Sequence, residues 1–348
     1  MHKMEKIALF VLMVSLVPVT FAQNEAVTAN ARTIVFPDDF VSIQEAIGNA
    51  SAGDTVYVKK GTYHENVVVN KSVSLIGEHV DETIIDGNPP EGFRIPVQVK
   101  YDNVTVCGFK LLYGYVGISV GEVKFCTIAG NRIAGNQKGV TLVHSSYCNV
   151  TENYVESISE SAIQLSYATH NLVNGNYIDA CIEGIQIWLG SDTNTVTGNT
   201  ITNCEDHAIR FQYSDNNTIN KNTISNSGVG TSIYVSNNNM ITRNNYVNNS
   251  IQFFRDESYA LTFGYEGSKN SLTENYWSNY NGTDYDEDGY GDKSYIINKN
   301  HRDTHPIMNP TEISTIPEFQ FLCILPLVLA VTAITLLFKK KLTNSFED

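Results

Sequence analysis

Apolar residues recur along this chain at a fixed long interval. One column reads Val106, Ile128, Val150, Val173, Val196, Ile219, Ile241 and Leu272, with spacings of 22, 22, 23, 23, 23, 22 and 31. Three residues after each member stands a turn position: Phe109, then Asn131, Asn153, Asn176, Asn199, Asn222, Asn244 and Asn275. A further strand follows in each repeat as two apolar residues flanking one outward residue. The triplets are Val140-Thr141-Leu142, Ile163-Gln164-Leu165, Ile185-Gln186-Ile187, Ile209-Arg210-Phe211 and Ile233-Tyr234-Val235. Alternation with period two specifies strands rather than helices. Three short strands and their turns use up one 22–23-residue repeat, which is one coil of a parallel β-helix. A leucine-rich repeat of that length needs a leucine-dense pattern that is absent. The predicted fold is all-β: a right-handed single-stranded parallel β-helix of about 9–10 coils. Asn suits the corners because it tolerates left-handed backbone and can ladder its amide along the stack.

An open solenoid end exposes unpaired strand edges and needs a cap. Ser42-Ile43-Gln44-Glu45 is a capping box, and Ile43, Ala46 and Ile47 share one face, so a short helix is expected to lid the first coil. Asn275–Pro310 is expected to cover the other end. The spacing of 31 marks an inserted loop within Phe253–Gly267, carrying Phe253, Phe254, Tyr259, Phe263 and Tyr265. Two pairs of cysteines fall at equivalent places on adjacent coils, Cys126 with Cys148 and Cys181 with Cys204. Coil spacing brings such pairs within disulfide reach, but parallel side chains reach the required dihedral poorly, so stacked free thiols are favoured over bridges.

The chain ends are expected to be processing and anchoring segments. Lys3 and Lys6, an apolar run from Ile7 to Val17 and a small-residue exit at Ala22 form a signal peptide over residues 1–22. Phe319–Phe338 is free of charge and followed by Lys339-Lys340-Lys341, which suits one transmembrane helix with a cytoplasmic tail. The expected layout is signal peptide 1–22, β-helix 33–275, C-terminal cap with an Asp-rich loop 276–310, linker 311–318, transmembrane helix 319–338 and tail 339–348. That places a single-pass protein on the extracellular face of the cell membrane. The formal charge of −14 argues against nucleic acid as a partner. Seven Asn-x-Ser/Thr sites suit an exported glycoprotein surface.

Two stretches resemble a known family. Ser42–Gly87 contains SIQEAI, GDTVYVKKGTYHENV, VSLIGE and TIIDG, similar to the entry segment of pectin methylesterases and of NosD-type β-helix proteins. Asn275–Asp292, NYWSNYNGTDYDEDGYGD, followed by Asp303 and His305-Pro306-Ile307-Met308, resembles the exit signature of NosD-type proteins. Ile316-Pro317-Glu318-Phe319 resembles archaeal C-terminal anchoring signals. The likeness implies the solenoid architecture; NosD itself is linked to copper maturation of nitrous oxide reductase. His301, Asp303, His305 and Met308 form no His cluster, so copper is not expected and a surface loop is.

The strongest local motif is Asp284-x-Asp286-x-Asp288-Gly289-x-Gly291-Asp292, whose alternate carboxylates and sharp turn suit calcium. Tyr295 stands where an EF-hand loop would carry its bidentate Glu. The alternative is a solvated acidic turn. On the solenoid face, Glu160, Glu183 and Glu205-Asp206-His207 precede successive strands, expected in register. Beside them lie an outward ladder of Gln164, Gln186, Arg210 and Tyr234, and a parallel one with Trp188 and Gln212. Three readings stay open for this face: solvated surface, a sugar-binding shelf with Trp188 as stacking platform, or acid/base chemistry by Glu160, Glu183, Asp206, His207 and Arg210. The functional expectation is a membrane-anchored, non-enzymatic surface or adhesin-type protein that binds polysaccharide. The alternatives are a polysaccharide lyase, epimerase or esterase-like enzyme, or a copper-related accessory protein.

Overall fold

The computed structural model describes residues 31–87, 94–256 and 269–312. The expected signal peptide and transmembrane segment lie outside these residues. Among the described residues no helix is long and apolar enough to cross a membrane.

The chain winds into a parallel β-solenoid with three strands per coil, stacked into sheets of 11, 10 and 9 strands. Sheet 1 holds the Val106–Leu272 column, and its pairing register joins Val106, Ile128, Val150, Val173, Val196, Ile219, Ile241 and Leu272 in sequence. Sheet 2 begins just past the Asn turn and stacks Leu111, Ile133, Val155, Ile178, Ile201, Ile224, Tyr246 and Trp277. Sheet 3 carries the longest strands, such as Glu183–Trp188 and His207–Gln212. Side chains of all three sheets meet in one interior, where most column residues are fully buried. The thiols of Cys126, Cys148, Cys181 and Cys204 are free and buried. Burial pushes Cys181 and Cys204 up to about 12, which keeps them protonated and inert.

The Asn turns form a continuous buried ladder. Asn199 Oδ1 accepts from the backbone N–H and Nδ2 of Asn176, both at 2.9 Å. Its own Nδ2 donates to Val173 O and Thr197 O, each at 3.0 Å, and to Asn222 Oδ1 at 2.9 Å. The ladder ends on Asp303, whose carboxylate accepts from Asn275 N, Asn275 Nδ2 and Trp277 Nε1 at 2.9, 3.1 and 3.1 Å. Asp303 is fully buried because no coil follows to donate or accept: an acceptor-only group closes the stack. Trp277 and Tyr295 stack at 4.4 Å over the same end. At the other end the helix Ile43–Asn49 buries Ile43, Ala46 and Ile47, and Ser42 caps it by accepting from Glu45 N.

Two register details differ from expectation. In the coil around residue 232, Thr231 and Ile233 point inward and Ser232 pairs with Arg210. The apolar pair Ile233/Val235 suggested a position two residues later. The buried Tyr246 hydroxyl decides the matter: it lies 2.9 Å from Thr231 Oγ1, so an inward Thr is satisfied. Phe253 and Phe254 belong not to an inserted loop but to the sheet 3 strand Ile251–Asp256, with Phe253 paired to Thr231 and Phe254 to Ser232. Residues 257–267 of the expected loop lie outside the described residues.

Candidate functional site

Sheet 3 presents its outward side chains in rows, one residue per coil. The central row is Thr141, Gln164, Gln186, Arg210, Ser232 and Phe254. Two residues on, the next row is Ser166, Trp188, Gln212 and Tyr234. Tyr234 therefore belongs with Trp188 and Gln212, not with Arg210 as the sequence suggested. It still meets Arg210 from the side: the guanidinium carbon sits 5.1 Å from the Tyr234 ring centroid.

The carboxylates are also one register apart. Glu183 pairs with Ser161 below and His207 above. Glu160 and Asp206 fall in the preceding row, with the half-exposed Ile182 between them, so Glu160 does not stack on Glu183. Glu160 is instead held by Gln137 Nε2 at 2.7 Å and Lys138 Nζ at 3.3 Å. Glu183, Asp206 and His207 do converge, with one ligand atom of each within 4.8 Å of the others. Arg210 Nη1 donates to Glu183 Oε1 at 2.6 Å and Nη2 to Gln212 Oε1 at 3.2 Å. Glu183 Oε2, His207 Nδ1, Arg210 Nε and Trp188 Nε1 are buried without a hydrogen-bond partner. Asp206 Oδ2 lies 3.0 Å from His207 Nδ1, close but not aligned as a hydrogen bond. A groove of about 350 Å³ runs beside this cluster, lined by Lys138, Glu160, Gln164, Glu183, Gln186 and Trp188. Gln164 Nε2 donates to Gln186 Oε1 along its floor.

In the exit segment, Asp284, Asp286 and Asp288 bring their carboxylates together. Asp284 Oδ2 accepts from Gly289 N at 3.0 Å, and Gly289 adopts a φ of 90° that a side chain would resist. Asp292 turns to Tyr285 N at 3.0 Å and Thr283 Oγ1 at 3.3 Å, bracing the loop. His301, Asp303 and His305 do not gather: Asp303 is spent on the ladder, and His305 Nδ1 lies 2.9 Å from Thr304 Oγ1.

Sequence reasoning missed an aromatic corner between sheets 3 and 1. Phe125, Tyr147 and His170 stack at 5.4 and 4.9 Å, and His144 stacks on Tyr167 at 4.8 Å. Phe125, Tyr147 and His170 hold φ of 59°, 55° and 58°, a region that bulky residues rarely enter. The recurrence of aromatic residues at 22–23 positions was the available signal.

The geometry defines an all-β solenoid with a grooved, polar and aromatic outer face. The chain belongs to the NosD family: the family model described as periplasmic copper-binding protein (NosD) matches residues 43–282. It is 32% identical over 126 residues to a cell surface glycoprotein of Methanothermus fervidus, covering 36% of this chain and 21% of that protein. It is 36% identical over 78 residues to a probable pectinesterase/pectinesterase inhibitor 6 of Arabidopsis thaliana, covering 19% of this chain and 14% of that one. The chain thus spans about a fifth or less of the length of these curated relatives. Among solved structures, the A-module of the mannuronan C-5 epimerase AlgE6 of Azotobacter vinelandii superposes with a TM-score of 0.55 at 16% identity, over 67% of this chain and 81% of that one. The DFA-IIIase of Arthrobacter chlorophenolicus without its lid gives 0.53 at 14% identity, over 71% and 81%. At such identities these likenesses establish the fold alone. The copper of the family description can be set against the donors present. Among the described residues the one His-bearing donor group, Glu183, Asp206 and His207, has two carboxylates and one imidazole, whereas copper(I) is selected by thiolate and thioether. The set does not fit copper(I).

Proposed function

We propose that this protein is a cell-surface β-solenoid, anchored by its C-terminal segment, that binds an extracellular polysaccharide along the outer face of sheet 3. The observation carrying this reading is the groove between Lys138 and Trp188. Its walls offer amides (Gln164, Gln186) for sugar hydroxyls and the aromatic surface of Trp188 for a sugar face, and the Trp188 row continues beyond the groove with Gln212 and Tyr234 on the next coils. The rows repeat at about 4.8 Å per coil, so a linear polymer lying along the stack meets one residue of each row at each step. The surface-glycoprotein relative and the NosD membership support an extracellular location. In the same reading the Asp284–Asp292 loop takes calcium and stiffens the capped end.

Tryptophan emission tests the binding. The chain has two tryptophans, and Trp277 is buried at the cap, so a ligand-induced change reports Trp188. Titration with alginate, polygalacturonate and a neutral glucan is expected to perturb emission with at least one polymer, and Trp188→Ala is expected to abolish retention on that polymer in affinity electrophoresis. If no polymer is retained, or Trp188→Ala binds as well as the parent, the reading fails. A catalytic reading rests on the unpartnered Glu183 Oε2 and His207 Nδ1, placed as an acid/base pair beside Arg210. Growth of the ultraviolet absorbance of an unsaturated uronate, or altered stereochemistry in the recovered polymer, would favour it over simple binding.

A further inference from the structure

We infer that Glu183, Asp206 and His207 form a binding site for one borderline divalent cation of the zinc type. The register places Glu183 and His207 directly opposite each other on adjacent coils, and Asp206 is chain neighbour to His207. Glu183 is 8% exposed and His207 7%, yet Glu183 Oε2 and His207 Nδ1 have no hydrogen-bond partner. Buried polar atoms in native proteins are paired in roughly nine cases of ten, so two orphan atoms on residues whose ligand atoms gather within 4.8 Å call for a ligand there. A proton on His207 would answer Asp206 but would leave Glu183 Oε2 unpaired; a cation answers all three.

The donor chemistry narrows the ion. Asp206 Oδ2 and His207 Nδ1 are 3.0 Å apart, near the edge of about 3.3 Å in a tetrahedron with bonds of about 2.0 Å. One imidazole and two carboxylates suit zinc, while calcium takes six to eight oxygens. Arg210 completes the arrangement from outside: by holding Glu183 Oε1 at 2.6 Å it fixes the carboxylate and leaves Oε2 free. Three protein ligands leave a fourth position open beside the groove. This site stands on its own observations, independent of polysaccharide binding.

The test uses the purified full chain, stripped of metal and titrated with Zn²⁺ by calorimetry, and with Co²⁺ by visible absorption. One ion per chain is expected, with Co²⁺ bands typical of a tetrahedral nitrogen/oxygen site. His207→Gln and Glu183→Gln are each expected to weaken Zn²⁺ binding by about 100-fold or more, above the 10–100-fold common for outer-shell losses. The Asp286→Asn/Asp288→Asn double variant is expected to leave it unchanged. Copper(I), offered under reducing conditions, is expected not to displace zinc. Absence of stoichiometric Zn²⁺ binding by the unsubstituted chain overturns the inference without any variant. So does binding that survives His207→Gln, that disappears with the Asp286/Asp288 pair, or that yields to copper(I).

Discussion

Exchanging the two acid–amide identities in the buried ladder probes what holds the stack closed. Asp303 accepts five hydrogen bonds: from Glu274 N and His305 N on Oδ1 at 3.1 and 3.0 Å, and from Asn275 N, Asn275 Nδ2 and Trp277 Nε1 on Oδ2. Asp303→Asn keeps one oxygen. Placing it at the Oδ2 position turns the new NH2 against the Glu274 and His305 N–H groups, each left unpaired at about 1 kcal/mol because both are only part-buried. The three remaining bonds lose their charge assistance, about 0.5 kcal/mol apiece. The sum is about 3.5 kcal/mol. In the reverse exchange, Asn199→Asp aims a buried carboxylate at Val173 O, Thr197 O and Asn222 Oδ1, all within 3.0 Å, and is expected to cost about 4 kcal/mol. Urea unfolding gives the global loss. Amide hydrogen exchange at Asn244 and Leu272 shows whether Asp303→Asn frays the end coils first, as nearest-neighbour stacking requires. An Asp303→Asn chain within about 0.5 kcal/mol of the parent, or an Asn199→Asp chain equally unaffected, would refute the acceptor-only account of the cap.

Two further outcomes follow from the ends of the solenoid. Calcium in 100-fold excess over its Kd is expected to stabilise the protein by about 2.7 kcal/mol through the Asp284–Asp288 loop, and Asp286→Ala with Asp288→Ala to remove the shift; melting curves identical in calcium and chelator would exclude the loop as a calcium site. Asp54 is buried, which pushes its carboxyl up, but Arg32 and the Ser51 N–H outweigh this and hold it below the ordinary 3.8. Its folded pKa is thus depressed, so its contribution is present above about pH 3.8 and is lost as pH falls through the folded value. Asp54→Asn is expected to lower stability at neutral pH and to flatten the acid limb of the stability–pH curve; an unchanged limb would show that Arg32 does not stabilise this carboxylate.

The architecture was legible in the sequence because each coil repeats the same local demand. An apolar residue every 22 or 23 positions, with an Asn three later, needs no distant information to be recognised. It sets the sheet 1 register from Val106 to Leu272 and the turn ladder. The capping box at Ser42 is local too, and Asp284, Asp286 and Asp288 gather within one turn. What the sequence left open were some of the choices between neighbouring registers on the outer face. Period two makes Thr231/Ile233 and Ile233/Val235 equally good inward pairs, and only the hydroxyl of Tyr246, arriving from the next coil, selects the first. The same two-residue ambiguity moved Tyr234 beside Trp188, and a one-residue offset separated Glu160 from Glu183. Asp303 was expected in a surface loop and proved to be the buried ladder's terminus, a role visible only once the last coil was in place. Inward positions are dictated by apolar burial, which a sequence displays directly. Outward partnerships depend on which atoms of successive coils face each other across a few ångströms, and stacking alone decides that.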